Sequence, residues 1–141
     1  MSDMYNLRIL AADRVFYEGP CLSLTVPAFD GEKEVLAHHE SMVIAVTDGE
    51  MRYKTEDGTW HIGYVGRGFV QIANNRVLLL TESAEKPEEI DVRRAEEAKE
   101  RALEQLRQKQ SIQEYYHSSA SLARAMARLK TSRQTAGKIR I

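Results

Sequence analysis

The hydrophobic period of this chain changes once, at Asp91. Before it, apolar residues alternate at period two, as in Leu22-Ser23-Leu24-Thr25-Val26. Such alternation presents one face of an extended strand to a core. After it, Ala, Glu, Lys, Arg and Leu dominate, and apolar residues recur every three to four positions, as on one face of a helix. No single regular element satisfies both periods, so a strand-rich part must be followed by a helical part. Charge changes sign at the same place. Residues 1–90 carry 8 Lys and Arg against 15 Asp and Glu, whereas residues 91–141 carry 12 against 6. Residues 115–141 hold no carboxylate side chain. The net charge of −1 therefore conceals an acidic β part and a basic α part.

Within the first part, alternation at Leu7/Ile9, Val15/Tyr17, Leu22/Leu24/Val26, Met51/Tyr53, Trp60/Ile62/Tyr64, Val70/Ile72 and Val77/Leu79 predicts short strands. Glu18-Gly19-Pro20, Asp30-Gly31, Asp48-Gly49, Asp57-Gly58 and Asn74-Asn75 read as the turns between them. Regular short strands with such turns predict an antiparallel sandwich or flattened barrel. Val43-Ile44-Ala45-Val46 is apolar on both faces and reads as a central, buried strand.

Pro87 ends the β pattern, and Asp91 can cap a helix bearing Val92, Ala95, Ala98, Ala102, Leu103 and Leu106 on one stripe. Ser111-Ile112-Gln113-Glu114 forms a capping box. It opens a second helix whose stripe is Tyr115, Tyr116, Leu122, Ala123, Met126 and Leu129. Two helices of about 20 residues, each about 30 Å long, joined by a short turn predict an antiparallel hairpin. Gly137 and the basic residues beyond Lys130 read as a fraying end.

Composition narrows the function. The chain of 141 residues suffices for one core and a helical appendage. It has no apolar run near the ~18–20 residues of a membrane span. Its start, Met1-Ser2-Asp3-Met4-Tyr5, lacks the regions of a signal peptide. The lone Cys21 rules out an internal disulfide and reads as a core thiol.

The helices hold the most chemistry. Arg94 and Arg101, seven apart, share a face of the first; Arg124 and Arg128, four apart, share a face of the second. If those faces meet, four guanidiniums converge on a site suited to a polyphosphate. The alternative is solvated arginines, with Asp91 as a simple cap. Lys130, Arg133, Lys138 and Arg140 extend the basic character toward either a nucleic-acid backbone or an acidic protein surface. His38-His39-Glu40 lacks the spacing of a His-Glu-x-x-His zinc helix. No Gly-rich phosphate loop or recognisable nucleophile is present.

Several segments share an order and spacing with one known family. Arg14-Val15-Phe16-Tyr17-Glu18-Gly19 and Leu24-Thr25-Val26-Pro27 resemble its opening strands. Val35-Leu36-Ala37-His38-His39-Glu40-Ser41 lies where the family writes Val-Leu-Pro-Gly-His-x-Pro; His39 matches, and Ala37, His38 and Ser41 depart. Val65-Gly66-Arg67-Gly68-Phe69 resembles a Val-x-Gly-Gly-Phe hairpin, with Arg67 in place of a small residue. Ile90-Asp91-Val92-Arg93-Arg94-Ala95 fits the Ile/Leu-Asp-x-x-Arg-Ala signature at every fixed position. From about Met4 to Arg133 the chain resembles the ε subunit family of bacterial F-type ATP synthases.

That resemblance implies a ten-stranded β-sandwich over residues 1–86 and a regulatory two-helix hairpin over 87–141. It implies a noncatalytic rotor subunit, peripheral to the cytoplasmic face of the bacterial plasma membrane and needing no cofactor. The implied partners are the γ subunit, the c-ring and the catalytic α/β hexamer, with no nucleic acid. It also implies ATP as a regulatory ligand of the folded hairpin. Ile90, Asp91, Arg94 and Ala95 carry over from the signature, and Glu85, Arg101, Arg124 and Arg128 from the surrounding pattern. His39, Arg124, Arg128, Lys130 and Arg133 are the implied partner contacts. The basic nucleic-acid module remains the alternative function.

Overall fold

In a computed structural model, residues 3–108 and 111–134 are described. Gly137, Lys138 and Arg140 of the expected basic end lie outside them. Among the described residues nine strands precede two helices: β1 Tyr5–Ala11, β2 Arg14–Ala28, β3 Gly31–Leu36, β4 Met42–Val46, β5 Gly49–Thr55, β6 Trp60–Val65, β7 Gly68–Ala73, β8 Arg76–Thr81 and β9 Ala84–Glu85. A 3-10 turn at Pro87–Glu89 leads to α1, Val92–Arg107, and then α2, Ile112–Ser132.

The strands hydrogen-bond in the order β4-β7-β8-β1-β2-β5-β6-β9, with β3 also beside β2. The sheet folds on itself because β2 is long. Its first half pairs β1 and its second half pairs β3 and β5. The Thr47 amide after β4 donates to Pro27 O at 3.0 Å, bringing the far end of the sheet against β2. Leu7, Ile9, Cys21, Leu24, Val26, Met51, Val65, Val70 and Leu79 are sealed between the two halves. Cys21 is a buried core thiol, as its setting suggested.

Among the strands two expectations are corrected, and the expected antiparallel pairing holds with one exception. Glu18-Gly19-Pro20 is no turn but the interior of β2. Pro20 is tolerated because the strand has β1 alone beside it there; pairing with β5 begins at Cys21. Gly19 takes φ 157°, and a Cβ there would lie 2.9 Å from the Tyr17 hydroxyl. The pairing is antiparallel except between β1 and β8, which run parallel. Finally, β4 is an edge strand, with Val43 66% exposed. Its second apolar face does not meet the core.

The two-residue turn at Asn74-Asn75 has both φ positive, at 52° and 56°, as a tight hairpin requires. Asp91 caps α1 by accepting the Arg94 amide at 3.1 Å, and Ser111 caps α2 by accepting the Glu114 amide at 3.2 Å. The helices pack together through Ala95, Ala102, Ser118, Ala125 and Leu129. Small residues let the backbones approach. Tyr115, Tyr116 and Met126, expected in this seam, are 50%, 66% and 51% exposed. The buried face of α2 runs through Ser118, Ala125 and Leu129, so Tyr115 and Met126 fall at its border and Tyr116 points away from it; of the expected stripe, Leu129 is buried. The hairpin rests on the sheet through α2, which lies on the outer face of β5 and β6 and buries Ile62 and Tyr64.

Candidate functional site: an arginine-lined cleft under the hairpin

A cleft of about 510 Å³ opens where β9, the 3-10 turn and the two helices meet. Arg94 and Arg101 reach it from α1, and Arg124 and Arg128 from α2. The two pairs of like-facing arginines do converge. Asp91, Ala95 and Glu85 also line it, so seven of the eight residues implied as ATP contacts border one cavity. Ile90 is buried beside it and is not among its lining residues. Glu89, Gln105, His117 and Ser121 line it as well. The sequence does not single these out; helical spacing offers the signal, since 117, 121, 124 and 128 recur at three or four along α2.

The acids of the cleft are already committed. Glu85 accepts from Arg128 at 3.1 Å (Nη2) and 3.2 Å (Nε). The same guanidinium lies 4.4 Å from the centre of the Tyr64 ring, a cation–π stack. Burial raises the Tyr64 phenol to about 12, so the ring stays neutral at physiological pH. Glu89 takes both terminal nitrogens of Arg14, whose hydrogen bonds hold its carboxyl below the usual range. Asp91 is occupied by the α1 cap. Among the described residues Arg124 donates to the Ser121 hydroxyl, at 3.1 Å, and to no carboxylate. Arg94 and Arg101 form no side-chain ion pair among the described residues. Three guanidiniums without carboxylate partners among the described residues therefore line one cavity, an arrangement that favours an anion with several oxygens.

The remaining candidates lie elsewhere. His39 sits in the loop between β3 and β4, where its Nδ1 is 2.8 Å from Glu40 O. In the same loop His38 takes φ 63°, and its amide donates to Asn75 Oδ1 at 2.7 Å. Lys130 and Arg133 are exposed at the end of α2. Arg67, the departure in the glycine hairpin, projects outward and pairs with Glu82 at 3.3 Å. On the outer side of the other sheet layer, the register aligns Val43 with Gln71, Ala45 and Leu80 with Phe69, and Leu10 with Leu80 and Val15. Val43, Phe69 and Val15 are exposed, so this layer presents an uncovered apolar face.

Comparison with known proteins agrees with this architecture. The family model for the ATP synthase delta/epsilon chain β-sandwich domain matches residues 4–87. That for the long α-helix domain of the same chain matches residues 88–133. The ATP synthase epsilon chain of Ruminiclostridium cellulolyticum is 43% identical over 91% of this chain and 95% of its own. That of Caldanaerobacter subterraneus subsp. tengcongensis is 38% identical over 92% and 94%. Among solved structures, a chain of the Euglena gracilis mitochondrial ATP synthase OSCP/F1/c-ring assembly superposes with a TM-score of 0.81 at 22% identity, covering 95% of this chain and 84% of that one. At that identity the likeness speaks for the fold alone. With both family domains matched in order and relatives of this identity spanned almost end to end, the chain belongs to the ATP synthase epsilon chain family.

Proposed function

We propose that this chain is a noncatalytic central-stalk subunit of a bacterial F-type ATP synthase, and that its hairpin is a nucleotide-sensitive brake on ATP hydrolysis. The sandwich attaches it to the γ subunit and the c-ring at the cytoplasmic face of the membrane. The uncovered apolar face bearing Val43, Phe69 and Val15 supports such attachment, since surfaces of that kind mark binding sites. The loop holding His39 supplies further contacts. Among the described residues no helix is long and apolar enough to cross a membrane, which accords with association through the complex.

The observation that carries the brake is the cleft itself. Arg94, Arg101 and Arg124 line one cavity without carboxylate partners among the described residues, and the two helices contribute to it jointly. Bringing like charges together costs energy that an ATP polyphosphate offsets, so ATP stabilises the closed hairpin and no other arrangement of it. At about 100 times its dissociation constant, ATP adds about 2.7 kcal/mol to that state. When ATP is scarce the hairpin leaves the sheet and extends along γ. Arg124, Arg128, Lys130 and Arg133 then meet acidic segments of the catalytic α/β hexamer and stop hydrolysis.

Deleting residues 111–141 removes α2 and leaves the sandwich intact. The truncated subunit is expected to assemble normally and to raise ATP hydrolysis by the reconstituted complex severalfold. Unchanged hydrolysis by a fully assembled complex would rule out the brake.

A further inference from the structure

The hairpin covers an acid that it does not satisfy. Glu50 lies opposite Tyr64 in the β5–β6 register, so both side chains occupy the face on which α2 rests. Arg52, two residues along β5, shares that face, and its guanidinium is taken by Glu32 of β3 at 2.7 Å. The charged groups acting on Glu50 are thus Lys130 of α2, Arg52 of its own strand and Glu32 of β3. None of the three is joined to it by an ion pair. Its Oε2 is buried and has no hydrogen-bond partner. Two other buried side-chain atoms share that condition among the described residues, Arg52 Nε and Thr131 Oγ1. Thr131 is wholly buried. All three belong to β5 or to the end of α2, the elements that docking brings together.

We propose that Glu50 is a proton-sensitive latch for the hairpin: as a carboxylate it opposes docking of α2 on β5, and as the neutral acid it tightens docking. The proposal rests on the docked hairpin being one state of the brake described above. A carboxylate with one oxygen buried and unpartnered is costlier than the neutral carboxyl, which also gains an O–H donor. Burial, the largest influence, raises the Glu50 carboxyl above its ordinary value; Lys130 and Arg52 pull it down, Glu32 pushes it up, and the net direction is upward. With α2 lifted away, the face is open to water and the carboxyl returns toward the ordinary range. Docking therefore takes up a proton. The cost of Glu50 is absent below its ordinary value, where it is neutral in both states, and complete above its docked value. Acidification strengthens docking.

Hydrogen exchange of the α2 amides at 121–132 tests this in the full chain. It is read as protection relative to β1 at about pH 5 and about pH 8. The wild type is expected to show severalfold greater relative protection at the lower pH. Glu50→Gln is expected to be highly protected at both. Lys130→Gln removes the one cation that α2 supplies and is expected to widen the wild-type difference. A docked wild-type hairpin with equal protection at both pH values overturns the latch, as does a pH difference that persists in Glu50→Gln. Amides of α2 unprotected at both pH values would instead refute the docked hairpin itself, and the latch with it.

Discussion

Arg128 ties the two parts of the molecule together through one side chain. It pairs with Glu85 at the end of the sheet and stacks on Tyr64 beneath the helix. Its helical neighbour on the same face, Arg124, is legible from a spacing of four. Its acid partner is not, because Glu85 lies 43 residues away and Glu88 and Glu89 are equally plausible in sequence. Caps are more legible than pairs, since Asp91 and Ser111 act within three residues of themselves. Gly68 is a residue whose necessity the family pattern hints at and the structure explains. A Cβ there would lie 1.9 Å from Leu80 O, in backbone that cannot yield cheaply. Gly68→Ala should destabilise the sandwich by about 2 kcal/mol or more, visible as a lower midpoint in denaturant unfolding. A midpoint within error of wild type would show that β7 and β8 can part without cost.

At the scale of elements, period identified strands and helices well and identified their surroundings poorly. Alternation finds the β7–β8 hairpin, including its Asn-Asn turn, because both strands have one buried face. It misplaces β4, since apolar residues on both faces can mean either a central strand or an edge that meets a partner. The same ambiguity misplaces Tyr115, Tyr116 and Met126. Helix α2 is apolar over a broad arc that includes Leu129, and period alone does not reveal which edge of that arc meets α1. The cap of α2 offers a clean test. Ser111→Ala removes the acceptor for the Glu114 amide and should cost about 1 kcal/mol of hairpin stability. Hydrogen exchange should show the loss in the first turns of α2, with the β amides unaffected; uniform loss across the chain would mean that hairpin and sandwich unfold as one.

For the whole molecule, the division at Asp91 and the sign change of charge were fully legible. The docking face was not, because nothing local tells the chain that α2 will settle on β5 and β6 and not on the opposite layer. The parallel β1–β8 pair was equally hidden, being a contact between residues some 70 apart. Docking covers few side chains of the sheet, chiefly Ile62 and Tyr64. A fully buried aliphatic or aromatic side chain contributes about 1.5–3 kcal/mol, partly cancelled by Glu50 and the other unsatisfied groups. The balance is small enough for a ligand worth about 2.7 kcal/mol to decide it.

The most direct test of that balance is calorimetric titration of the isolated chain with ATP, beside Arg124→Ala. The cleft predicts saturable binding of one ATP per chain, weakened about tenfold or more by the substitution, which removes one charged contact worth about 1.5–3 kcal/mol. Absence of saturable binding, or equal affinity in the two proteins, would contradict the nucleotide-sensing hairpin.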